Sequence, residues 1–197
     1  MAIVLTLSPD LPILHFETQQ AWEEWLARNH SSSPGAWLRF AKKGFAMQSP
    51  SYAEALEVAL CYGWIDSQKK SCDESSWLQK FSPRGPKSVW SKINRDKVDA
   101  LIEAGRMKPA GLAAVELAKG DGRWDAAYDS QRTATVPEDL QAELDRKPKA
   151  KAFFATLDSA NRYAVLWRIQ TAKKPETRAR KIKTLVEMLE RNEKIHT

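Results

Sequence analysis

Two cysteines, three histidines and eight glycines are few for 197 residues, and no apolar run approaches the ~18 residues of a membrane span. Each shortage excludes something. Cys61 and Cys72 do not form a C-x-x-C pair, so both read as reduced thiols of a cytosolic protein rather than as a disulfide or redox site. His15, His30 and His196 are scattered and match no zinc-ligand spacing, so no metal is expected. Met1 to Leu14 has no basic segment and is broken by Pro9, Asp10 and Pro12, so it does not read as a secretory signal. There is no Walker loop, no G-x-G-x-x-G and no G-x-S-x-G, so no cofactor is implied and no nucleophile stands out. Whether the chain is an enzyme stays open, because sites also assemble from distant positions.

What is present is aromatic and basic. Eight tryptophans, each able to bury roughly 150–250 Å², provide for a substantial core. The net charge of +6 is uneven. Residues 1–66 carry −3, residues 67–97 carry +5, residues 98–145 carry −5 and residues 146–197 carry +9. Two basic blocks flank an acidic one, a pattern that suits an anionic partner as well as it suits solvated helix faces.

Periodicity predicts an α+β fold: a small antiparallel sheet with flanking helices, followed by a helical C-terminal region. Thr18 caps a first helix that carries Trp22, Trp25 and Leu26. Ala36 to Lys43 reads as a strand ended by Gly44. Ser51 and Glu54 form a capping box for a helix closed by Gly63. Trp64 to Phe81 reads as a hairpin turning at Asp73-Glu74-Ser75. A helix capped by Ser88 or Ser91 then turns Val98, Leu101 and Ile102 inward, and Pro109 starts another. Arg123 to Val136 reads as a linker with a Trp124–Tyr128 anchor. Beyond it, helices carry Phe153, Phe154 and Leu157, then Tyr163, Leu166, Trp167 and Gln170 on one side. A last helix, opened by Pro175, carries Ile182, Leu185, Val186 and Leu189. The expected division is an α+β domain with an aromatic-rich hairpin over 1–122 and a helical region over 123–197.

Five segments, in order, carry a family likeness. They are Gly63-Trp64-Ile65-Asp66, Phe81-Ser82-Pro83-Arg84, Ser88 to Asn94 (SVWSKIN), Gly105 to Gly111 (GRMKPAG) and Ala172 to Arg178 (AKKPETR) leading into Lys181-Ile182. Together they resemble the bacteriocin-protection, YdeI or OmpD-associated (OmdA) family, over about residues 16–195. The chain departs from the family's pattern at Gly85, where relatives often carry another basic residue. The resemblance implies protection against bacteriocins or association with an outer-membrane porin, and no stated reaction. Without a secretory signal, the porin reading is discounted.

Three sets of residues are candidates for chemistry. Asp66, flanked by aromatics, could act as a general acid or base if desolvated, or could equally hold backbone amides or pair with Arg84. The basic segment with Arg84, Lys87, Ser88, Trp90, Ser91, Lys92 and Asn94 runs through a proline-stiffened loop into a helix start. There free amides and the positive dipole end favour an anion, and Trp90 serves as a stacking ring or a core anchor. Lys174, Arg178 and Lys181 form one stripe of the last helix, either a nucleic-acid- or membrane-facing surface or an ordinary solvated face.

The reading favoured is a cytoplasmic binding module of stress or bacteriocin-protection type, its partner a phosphate-bearing ligand or nucleic acid, with no integral membrane association. The alternatives are an enzyme on a small acidic or phosphorylated substrate, with Asp66 as acid or base, and a protein–protein adaptor anchored by tryptophans. Nothing in the sequence speaks to oligomeric state.

Overall fold

The computed structural model describes residues 11–196, so most of the Met1–Leu14 stretch judged above lies outside the described residues. The described chain forms two compact units. The first runs to Ser88 and resumes over Asp96–Asp121; the second comprises Val89–Arg95 and the chain from Gly122. The crossing of Val89–Arg95 into the second unit was not foreseen.

The first unit is built on a four-stranded sheet in the order β1-β2-β4-β3: β1 (Ile13–Leu14), β2 (Ala36–Ala41), β3 (Trp64–Ser71) and β4 (Ser76–Pro83). The β3–β4 hairpin and its antiparallel pairing with β2 arise where alternation predicts them. The sheet is nevertheless mixed, because β1 lies parallel to β2. Two residues directly after Pro12 give no alternation to read, so β1 was invisible in the sequence.

One face of the sheet packs on α1 (Gln19–Asn29) and α2 (Tyr52–Cys61). Thr18 caps α1 by accepting from Ala21 N, and Ser51 with Glu54 closes the capping box of α2. Trp22, Trp64, Phe40 and Phe81 are fully buried between these layers. Trp22 stacks on Trp25 at 5.4 Å and meets Trp64 edge-on at 6.2 Å. Its indole N–H donates to Ala55 O and that of Trp64 to His30 O, which satisfies the polar atoms that this aromatic burial brings inside.

Helix α3 (Lys92–Glu103) starts in the second unit and runs into the first, where it buries Val98 and Leu101. Ile102, expected inward, is 37% exposed. Its successor α4 (Pro109–Gly120) opens on proline at its first turn. Gly111 on α4 sits so close to Cys61 O that a Cβ there would overlap the carbonyl. Gly63, at φ +73°, supplies the left-handed turn after α2.

The second unit holds α5 (Glu138–Asp145), α6 (Pro148–Thr156), α7 (Ser159–Gln170) and α8 (Pro175–Glu190). Leu140, Leu144, Phe154, Val165, Ile169 and Leu189 centre its core. On α7 the inward face is Asn161, Ala164, Val165, Leu166 and Ile169. Of the expected stripe, Leu166 is buried, Tyr163 and Gln170 are half-buried, and Trp167 is 37% exposed. Apolar spacing alone did not separate the faces, because Trp and Tyr mark either a core or a half-open surface. Trp124 and Ala127 are buried, and Tyr128 N donates to Trp90 O, so the early part of the expected linker is packed structure.

Candidate functional site

Positions 66 and 52 are joined by the fold. The Tyr52 hydroxyl, at the first turn of α2, donates to Asp66 Oδ2 on β3 at 2.7 Å. Burial, and then the hydrogen bond and charge of Asp66, push the Tyr52 phenol well above its ordinary value. A tyrosine so held is a poorer acid, and the carboxylate already has its donor. The pair reads as a tie between helix and strand.

The segment from Arg84 to Asn94 divides between the units. Arg84, Lys87 and Ser88 belong to the first, where Arg84 N donates to Gly63 O and Ser88 N to Gly85 O. Lys87 is exposed. Trp90, Ser91, Lys92 and Asn94 belong to the second. Trp90 is 2% exposed and meets Trp124 edge-on at 4.9 Å, so its ring serves as a core anchor. Ser91 caps α3 by accepting from Asn94 N, and Lys92 Nζ sits 2.7 Å from Asp129 Oδ1. Of the two caps considered, Ser91 is thus the one that holds the helix start.

A different basic cluster is assembled by strand pairing. Lys42 and Lys43 follow β2, while Lys69 and Lys70 lie on β3; β4 runs between those two strands and supplies Trp77. These five residues, with Ala41 and Ser71, line an open concavity of about 480 Å³. Its lining holds four cations and no acidic residue. Lys43, Lys69 and Lys70 are exposed. The Asp73 carboxylate, in the turn between β3 and β4, is occupied: Arg39 Nη2 lies 2.6 Å away, and Ser75 and Ser76 donate to its other oxygen. Those hydrogen bonds, that of Ser76 foremost, hold the Asp73 carboxyl well below the usual carboxylate range. Lys42 Nζ meets the backbone carbonyl of Asp73 rather than its charge.

Aromatic rings underlie the cations. Lys69 Nζ stands 4.3 Å from the centre of the Trp77 ring, and Lys70 Nζ 4.1 Å from that of Trp37. Such contacts at exposed sites are worth about 0.5–1 kcal/mol each. Trp77 is half-buried and stacks on Phe40 at 4.8 Å. None of these lysines was singled out in the sequence. A charge count along the chain puts Lys42 and Lys43 in an acidic block, and only the β2-β4-β3 order brings them beside Lys69 and Lys70.

Other concavities lie among the described residues of the second unit. One, between α5 and α8, is lined by both signs, including Asp139, Glu187, Arg178 and Lys183. Another is lined by Tyr128, Tyr163, Trp167, Arg168 and His196. Tyr163 donates to Asp129 O, and burial first, with neighbouring Tyr128 and Asp129, pushes its phenol up to about 12. Among the described residues no group of three or more His, Cys, Asp and Glu converges as a metal set. No helix among them is long and apolar enough to cross a membrane.

Comparison with known families covers most of this frame. A family model described as Domain of unknown function (DUF8412) matches residues 14–114, more than half of the chain. The chain belongs to that family. The DUF8412 match takes in the sheet, α1 to α3 and the lysine concavity. A second model, Bacteriocin-protection, YdeI or OmpD-Associated (OmdA), matches residues 133–192, from just before α5 to the end of α8. The OmdA likeness read from the sequence is therefore carried by the C-terminal helices, while the segments from Gly63 to Gly111 fall within the DUF8412 match. No curated protein and no solved structure matches the chain.

Proposed function

We propose that the chain is a cytoplasmic binding module for an anionic, phosphate-bearing partner in a bacteriocin-protection-type role, with Lys42, Lys43, Lys69 and Lys70 as its principal contact. The observation that carries this reading is the convergence of four lysines from two separate stretches on one concavity with no acidic residue in its lining. Like charges gathered in one hollow repel, and the repulsion is relieved when an anion enters. The protective role draws on the OmdA match. The compartment draws on Cys72, an exposed thiol outside any disulfide, which a reducing environment preserves.

The Arg84–Asn94 segment enters the proposal as a lesser contact. Lys87 and Lys92 are exposed cations, Lys92 being paired with Asp129, and Trp90 is interior. The enzymatic alternative draws no support from Asp66, whose carboxylate is taken up by Tyr52.

Calorimetric titration with linear polyphosphate at low ionic strength tests the reading. Binding is expected, weakening steeply as salt rises. Lys43→Gln with Lys70→Gln removes most of it, and Lys87→Gln less. Absence of binding at low salt, or binding indifferent to salt, overturns the proposal.

A further inference from the structure

We infer that the anionic partner is a single-stranded nucleic acid, one base of which stacks on Trp77 in the place that Lys69 now covers while the surrounding lysines take adjacent phosphates. This rests on the lysine concavity as the anion site and names its ligand. The argument begins with the Trp77 ring. Phe40 stacks on it at 4.8 Å and only 21° from parallel, and Lys69 Nζ stands 4.3 Å from its centre. One face is backed by a buried aromatic, so the indole is held in a fixed plane. Besides Phe40, the ring meets Tyr52, tilted at 6.3 Å, and the exposed, flexible Lys69.

A lysine over a ring at an exposed site is held less firmly than a base stacked on an aromatic side chain. A base can therefore displace Lys69. The freed ammonium loses nothing by moving, because a stacked nucleotide brings a phosphate within its reach. Lys42 and Lys43 line the same hollow and meet the neighbouring phosphates, while the Lys70 ammonium lies over Trp37 on the other face of the sheet. Every base has a π-face, so this recognition tolerates sequence.

Two simpler accounts explain less. Lysines on β3 would protect the sheet edge, since β3 is the outermost strand and charged edges discourage strand addition. That accounts for Lys69 and Lys70 but not for the arrival of Lys42 and Lys43 from beyond β2. A site for inorganic phosphate chains would use the four lysines and leave the Trp77 platform idle. A duplex fails on the same ground, because its bases are already stacked on one another and present no open face. A strand with unstacked bases uses cations and ring together.

The test is fluorescence anisotropy with labelled oligothymidylate, run beside a duplex of equal length, linear polyphosphate and phosphatidylserine vesicles. The single strand is expected to bind tightest at matched salt. Trp77→Leu should lose about ten-fold or more for oligothymidylate and leave polyphosphate binding unchanged. Trp77→Phe should keep most of the affinity. Since Trp77 also packs on Phe40, Trp77→Leu must retain the wild-type circular dichroism. If it does not fold, indole quenching decides: oligothymidylate should quench emission in the wild type and not in Trp77→Phe. Equal losses for oligothymidylate and polyphosphate, tighter binding of the duplex or vesicles, or quenching that survives in Trp77→Phe overturns this inference. Any of these leaves the anion site standing. If neither polyphosphate nor oligothymidylate binds at low salt, both the site and the inference fall.

Discussion

Arg178 grips both carboxylate oxygens of Asp139, with Nε 2.5 Å from Oδ2 and Nη2 2.8 Å from Oδ1. Its remaining nitrogen, Nη1, donates to Ile169 O at 3.0 Å. One guanidinium thereby ties α8 to the first turn of α5 and to the end of α7. Lys181 is engaged in the same way, its Nζ donating to Arg168 O. The basic stripe that α8 displays in sequence is thus largely internal bracing, and only Lys174 of that stripe is exposed.

Arg178→Ala should lower the stability of the folded chain by about 1–2 kcal/mol, because a two-point charge-assisted bond and a carbonyl partner are lost together. Arg180→Ala, at an exposed neighbouring position, should stay within about 0.5 kcal/mol. The pH dependence has a definite sign. The hydrogen bonds of Arg178 hold the Asp139 carboxyl below its ordinary value of 3.8. A lowered folded-state pKa adds stability that is whole above the ordinary value and is lost as pH falls through the lowered one. Denaturant titrations of wild type and Arg178→Ala should converge in that acid window and stay parallel above it.

The inward face of α8 offers a contrast with its charged face. Leu189 is fully buried beside Leu140, Val165 and Ile169 in the same core. Leu189→Ala should cost about 2–5 kcal/mol through lost burial and the cavity left behind. A loss near that of Arg180→Ala, measured by denaturant unfolding, would mean that α8 does not dock on this core.

How much of this was legible depended on where each determinant sits in the chain. Caps and periodic faces are local, so α1, α2, α4 and α8 and their caps at Thr18 and Ser51 could be read directly. The hairpin was legible from Asp73-Glu74-Ser75. The lysine concavity was not, because its members are brought together by pairing across β4. Trp77 itself lay within a predicted strand, but nothing local says that Phe40 will back its ring. The basic segment from Arg84 to Asn94 was conspicuous because its charges are contiguous in sequence. In the fold Trp90 is interior and Lys92 pairs with Asp129, partners that contiguity in sequence does not reveal.

Gly111 gives the Gly105–Gly111 segment a physical meaning. A Cβ at that position would overlap Cys61 O and crowd the Met107 side chain, and the carbonyl belongs to backbone that cannot swing aside. Cys61 O is moreover fixed by a hydrogen bond from Lys108 N. Gly111→Ala should therefore force α4 away from the end of α2 and destabilise by about 1–3 kcal/mol, the range for overpacking. Gly120→Ala, where a Cβ meets nothing, should be neutral or slightly stabilising in a helix. The two alanine variants, compared by thermal unfolding, differ only in what surrounds the added methyl.

The Tyr52–Asp66 bond separates a structural from a catalytic role for Asp66. Tyr52 is held above its ordinary value of 10.0 by burial and by the Asp66 carboxylate. A raised folded-state pKa adds stability that is whole below the ordinary value and is lost as pH rises through the raised one, so the pair should weaken the fold only in strong alkali. Tyr52→Phe should remove that alkaline sensitivity and cost about 1 kcal/mol at neutral pH, the worth of one hydrogen bond to a charged acceptor at a half-open site. Asp66→Ala should cost a similar amount and move the Tyr52 titration, followed by ultraviolet difference absorbance, back toward ordinary tyrosine. Asp66→Asn keeps an oxygen to accept the hydroxyl and should retain most of the stability while lowering the Tyr52 titration, since the charge is gone. If Asp66→Ala leaves both stability and the tyrosine titration untouched, the carboxylate is not committed to Tyr52, and its availability for acid–base chemistry returns.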